Sequence, residues 1–108
     1  MELAVAVFRI ATELSAPRTF EIARELRRSA MSVPSNIAEG FNRHSRAAYR
    51  LHVAIALGSV AELETQVELT TRLSHLSVSQ SQSILESCSD VARLLQGLWR
   101  ALKPSQGK

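Results

Sequence analysis

From Ser45 to Leu73 the chain runs without a proline and with a single glycine, Gly58. Such a stretch favours a helix throughout, and at about 1.5 Å per residue it makes a rod roughly 40 Å long. Between Leu51 and Leu63 the rod is apolar nearly all round, with Leu51, Ile55 and Ala56 facing one way and Val53, Leu57 and Val60 another. A helix that is apolar on every side must be covered on every side. The rest of the chain has to supply that cover.

The cover reads as helical too. Among 108 residues the only aromatics are Phe8, Phe20, Phe41, Tyr49 and Trp99, and there are four Gly and three Pro, so strand formers and turn residues are both scarce. Met1 to Leu14 carries Leu3, Val7, Ile10, Ala11 and Leu14 at helical spacing and stops ahead of Pro17. Thr19 can cap a second helix, with Glu21 in its first turn and Ile22, Ala23, Leu26, Ala30 and Val33 on its apolar face. Pro34 predicts a kink or a restart capped by Ser32, because the pattern resumes at Ile37, Ala38 and Phe41, and Gly40 marks the C-terminal region. After the long rod, Ser77-Val78-Ser79-Gln80 is a capping box that opens a fourth helix through Ile84, Cys88, Val91, Leu95, Leu98 and Leu102. Four helices joined by short turns specify an all-α fold, an antiparallel up-down-up-down four-helix bundle over residues 1–103 with its second helix kinked near Pro34, and a frayed tail over 104–108.

The helix lengths do not match. A first helix of roughly 20 Å cannot screen a third of roughly 40 Å, so part of the rod's apolar surface should meet other copies of the chain. The expected interface is Val53, Leu57, Gly58, Ser59 and Val60, with Gly58 and Ser59 admitting a close backbone.

Charge points to a class of partner. The net charge is +3, and residues 1–54 hold eight Arg against five Glu, whereas the second half is balanced. Arg24, Arg27, Arg28, Arg43, Arg46 and Arg50 lie between positions 24 and 50, opposed there only by Glu25 and Glu39. The planar guanidinium fork suits phosphate, so nucleic acid is a candidate partner. Glu62 follows the apolar stripe and could turn inward to meet Arg27 or Arg28; Glu64 and Glu68 read as solvated or paired with Arg72. His44, His52 and His75 lack the spacing of metal ligands, no Gly-rich phosphate loop or nucleophile elbow occurs, and Cys88 stands alone as core filling, so no catalytic, metal or cofactor residue is assigned. No apolar run approaches a membrane span and no signal core is present, which leads to the expectation of a cytoplasmic protein without a membrane partner.

One stretch is not explained by periodicity: Arg27-Arg28-Ser29-Ala30-Met31-Ser32-Val33-Pro34-Ser35-Asn36-Ile37-Ala38-Glu39-Gly40-Phe41-Asn42-Arg43. It resembles the signature of the bacterial four-helix-bundle family of 23S rRNA intervening-sequence proteins. A second block, Tyr49 followed by Ile55-Ala56-Leu57-Gly58-Ser59-Val60-Ala61-Glu62-Leu63-Glu64-Thr65-Gln66, is similar to that family's G-S-x-x-E-L-E-T-Q segment. Ala48 stands where the family commonly has Glu, and Met31 replaces a small aliphatic residue. The resemblance implies a bundle that assembles as a ring, commonly a pentamer, with no established reaction; a similar accessory protein of diversity-generating retroelements binds nucleic acid and a reverse transcriptase. Pro34, Ser35, Asn36, Glu39 and Gly40 read as a structural signature: hydroxyls satisfying groups freed by the proline, an amide bridging helices, and a glycine admitting a neighbour.

The expectation is therefore a non-enzymatic, ring-forming bundle that binds RNA or DNA with little sequence preference through Arg43, Arg46 and Arg50, joined by Arg24, Arg27 and Arg28. The alternative is a protein-interaction scaffold that docks a nucleic-acid-processing protein. No stacking platform of aromatics is evident, so base readout is not expected.

Overall fold

The computed structural model describes residues 1–104. Four α-helices account for nearly all of it: α1 (Glu2–Glu13), α2 (Phe20–Asn42), α3 (Arg46–Arg72) and α4 (Val78–Ala101), with one turn of 3-10 helix at Pro17–Thr19 before α2. Each helix packs on its neighbours in the chain and α1 also meets α4, while no diagonal pair touches. That is the cyclic order of an up-down-up-down bundle, and its extents of 55 × 21 × 18 Å make it long and narrow. Position 104 closes the described residues, so the expected frayed tail lies almost wholly outside them.

Local signals placed the helix ends. Ser45 accepts from the Ala48 N–H to cap α3. At α4 the capping box is complete, since Ser77 accepts from Gln80 N–H and the Gln80 carboxamide accepts from Ser77 N–H. The two tight turns need left-handed backbone, taken by His44 at φ 56° and Ser74 at φ 65°. Thr19 departs from expectation. It stands at the start of α2, but its hydroxyl donates back to the Ala16 carbonyl and caps nothing.

Pro34 does not interrupt α2, which continues through it for 23 residues, so there is no restart at Ser32. The Asn36 carboxamide reaches back one turn and donates to the Ser32 carbonyl at 2.9 Å, adding a bond beside the proline that withholds one. The core runs the length of the bundle from Leu3, Val7 and Ala11 through Leu26, Ala30 and Val33 to Val53, Val60, Leu63, Val67, Ile84, Cys88 and Leu95. At 12 residues α1 extends along about half of α2, so the end of the bundle where α2 meets α3 is a three-helix structure.

The expected self-association face needs correction. Val53, Ser59 and Val60 lie inside the subunit's own core, because α2 and α4 together cover that side of α3. Leu57 is half-buried against the same core, and of the five expected residues only Gly58 is exposed. The outward face of α3 is instead Leu51, Ile55, Gly58 and Leu69. Among the described residues no helix is long and apolar enough to cross a membrane.

Candidate nucleic-acid interface

Two turns of backbone bring the cationic residues together at one end of the bundle. Arg43 follows the last residue of α2, Arg46 opens α3, and Arg50 lies one turn further on. The C-terminus of α4 arrives beside them, carrying Arg100 and, just beyond, Lys103. Within this end Glu39 is the one carboxylate among the described residues, against five Arg or Lys side chains. Arg100 and Lys103 escaped the sequence reading because about 50 residues separate them from Arg50; helix count, which places the end of α4 beside the start of α3, was the available signal.

Arg46 and Arg50 point across to α4. Arg50 Nε donates to the Trp99 carbonyl at 3.0 Å while its guanidinium carbon lies 3.6 Å from the centre of the Trp99 ring, and an Arg46 Nη donates to the Ala101 carbonyl. Both satisfy carbonyls that the end of a helix leaves without partners, at the negative pole of its dipole. Each arginine keeps further N–H donors, since a guanidinium has five. Arg43 is held at 2.8 Å by Glu39 one turn back, and that hydrogen bond, reinforced by the charges of Arg43 and then His52, lowers the Glu39 carboxyl below its ordinary range.

The other three expected contacts sit elsewhere. Arg28 lies between Glu25 at 2.8 Å and Glu62 at 2.9 Å, and the hydrogen bonds it donates to both carboxylates, Glu25 first, raise the guanidinium's affinity for its proton. Of the two candidates for Glu62, Arg28 is the partner, and the pair is half-exposed, not buried. Arg24 faces Glu21 at 3.9 Å, and Arg27 lies half-buried on α2, far along the helix from Arg43. The six arginines therefore do not form one surface.

Behind the cationic end, the signature residues join α2 to α3 by an unbroken hydrogen-bond chain. His52 Nδ1 donates to Asn36 Oδ1 at 3.0 Å, Asn36 Nδ2 donates to Ser32 Oγ at 3.0 Å, Ser32 Oγ lies 2.7 Å from Ser59 Oγ, and Ser59 Oγ donates to the Ile55 carbonyl. With Asn36 Nδ2 spent on Ser32, its oxygen must accept, which places the proton of the imidazole on Nδ1. Gly40 is buried where the helices cross: a Cβ there would stand 2.7 Å from His52 Cβ and 3.1 Å from the Tyr49 ring. Among the described residues Pro34 and Ser35 make no cross-helix hydrogen bond, so this network falls to Ser32, Asn36, His52 and Ser59.

Cys88, the chain's one cysteine, is remote from the cationic end and fully buried, and burial, assisted by Glu64, pushes its thiol up to about 12. No cluster of three metal-ligating side chains occurs among the described residues. A groove of about 380 Å³ runs between α1 and α2 along Val5, Phe8 and Met31, where Arg9 is the sole charged side chain.

The comparisons with known proteins agree with this architecture. No curated protein matches the chain. A crystal structure at 1.70 Å of a protein of unknown function from the S23 ribosomal protein family of Bacteroides thetaiotaomicron VPI-5482 superposes with a TM-score of 0.85 at 27% identity, covering 95% of this chain and 94% of that one. The family model for 23S rRNA-intervening sequence proteins matches residues 1–97. With that model spanning most of its length, the chain belongs to the 23S rRNA-intervening sequence protein family.

Proposed function

We propose that the cationic end of the bundle binds a phosphodiester polyanion, RNA or DNA, without catalysing a reaction on it. The observation that carries this reading is the convergence of Arg43, Arg46, Arg50, Arg100 and Lys103 from three helix ends around Glu39, the single carboxylate there among the described residues. Backbone phosphate contacts are sequence-independent, and several cations on one small surface supply them. Self-association of the kind the family resemblance implies, a ring of five copies, would multiply these cations, and the exposed face of Leu51, Ile55 and Gly58 is the surface of α3 available for it. The apolar groove along Val5, Phe8 and Met31 favours a second reading, a scaffold that docks a nucleic-acid-processing protein.

Salt dependence tests the first reading. Binding of a fluorescent duplex should weaken with salt at a log–log slope of about −0.9 per phosphate engaged. Arg43→Gln, Arg100→Gln and Lys103→Gln should each make that slope shallower by roughly one unit. Arg24→Gln should leave it unchanged. A slope near zero, or no binding at about 50 mM salt, rules the reading out.

A further inference from the structure

Beside the cationic end, α3 and the end of α4 flank a shallow, open cleft of about 280 Å³ lined by Ala47, Arg50, Leu51, Ala54, Trp99 and Pro104. That volume lies just under the range of small-molecule sites, roughly 300–1,000 Å³, and suits one flat ring system. Its composition differs from that of the other grooves. Ala47 and Ala54 are small and both lie toward solvent on α3, which keeps the floor low, while Leu51 and Trp99 supply apolar walls. Trp99 is the sole tryptophan of the chain and keeps 36% of its surface exposed. Arg50 packs against the ring and bonds the backbone beneath it, fixing the side chain that forms the wall.

We infer that this cleft is a stacking site for an unpaired nucleobase, with Trp99 as the platform and with Arg46, Arg100 and Lys103 placed to contact the phosphates on either side. The inference rests on the polyanion reading and gives it a preference for single strands. A base in a duplex has both faces covered by its neighbours and cannot enter a cleft walled by an indole, whereas an unpaired base offers a free π-face of any sequence. Arg50, engaged by the Trp99 ring and carbonyl, serves as a positioning residue for the platform.

Because Trp99 is the only indole, its fluorescence reads the site directly. The full chain is titrated at about 50 mM salt with oligouridylate or oligothymidylate of about ten residues, with a duplex of equal charge, and with inorganic polyphosphate. Quenching by the single strands alone is expected. Trp99→Leu should weaken single-strand binding roughly 5- to 150-fold, the range for loss of one stacked base, and leave duplex binding unchanged, while Trp99→Tyr should retain most of the preference. Circular dichroism checks the helicity of each variant, and the quenching titration needs no variant at all. Single strands that bind, as judged by anisotropy, without quenching Trp99, or equal quenching by polyphosphate, overturn the stacking site and leave the polyanion reading standing. Failure of all three ligands to bind overturns both.

Discussion

The two faces of α3 carry the same kinds of residue and do opposite things. Toward α2 and α4 it presents Val53, Ala56, Val60 and Leu63, none more than 1% exposed, and beside them His52 and Ser59 bond across to α2. Toward solvent it presents Leu51, Ile55 and Leu69, each more than 40% exposed. Each face also meets a glycine of the signature blocks: Gly40 of α2 is pressed against the inner face, and Gly58 sits on the outer face with nothing within 4 Å of where its Cβ would be. What a residue contributes here is decided by its neighbours across the helix crossing, and residue type alone does not reveal them.

Truncating one leucine on each face sets the scale of that difference. Leu63→Ala removes a fully buried side chain and should cost about 2–5 kcal/mol, the transfer loss plus an unfilled cavity. Leu51→Ala, at 61% exposure, should fall within about 0.5 kcal/mol of the parent. Urea denaturation of both variants measures the contrast, and equal losses would mean that the outer face is covered in solution, as a stable self-associated form requires.

The glycines sharpen the comparison on a smaller scale. Gly40→Ala puts a methyl group 2.7 Å from His52 Cβ, which is held by its own helix and cannot swing aside. The overpacking, roughly 1–3 kcal/mol, should exceed the ~1 kcal/mol of helix propensity that alanine brings, so the variant loses stability and the His52–Asn36 bond lengthens. Gly58→Ala meets no neighbour and should gain up to ~1 kcal/mol in a thermal or urea unfolding series. A loss at Gly58 would reveal another backbone lying against it, the close approach expected from the sequence.

These particulars show how far the sequence could be read. The helix count and the Ser77–Gln80 box were legible because they rest on contacts within a turn or two. The buried side of α3 was not, since Leu51 to Leu63 is apolar nearly all round and helical spacing cannot tell which stripe two neighbours will cover. At the candidate site, the grouping of Arg43, Arg46 and Arg50 was legible because they are close in sequence. Arg100, Lys103 and the Trp99 platform depend on where α4 ends, a tertiary fact. The Asn36 bridge was anticipated in kind, but its partner His52 follows only from the crossing at Gly40.

The smallest expected effect on stability is at Glu39, in the cationic end of the bundle. Its carboxyl is held below the ordinary range by the Arg43 hydrogen bond, so the pair stabilises the fold at pH values above that range, and the contribution disappears as acidification protonates the carboxylate. Glu39→Gln should therefore be slightly less stable than the parent at neutral pH and indistinguishable from it once the carboxyl is protonated. Its effect on binding has the opposite sign. Removing the carboxylate that the described residues place at the cationic end takes away a repulsion toward phosphate and a competitor for Arg43, so the duplex should bind more tightly at neutral pH. Arg28 offers the control, because Glu25→Gln releases a guanidinium that still has Glu62 and lies outside the cationic end, and the duplex should not register the change. Equal tightening by the two variants would show that net charge, and not the gathering of cations at one end, sets the affinity.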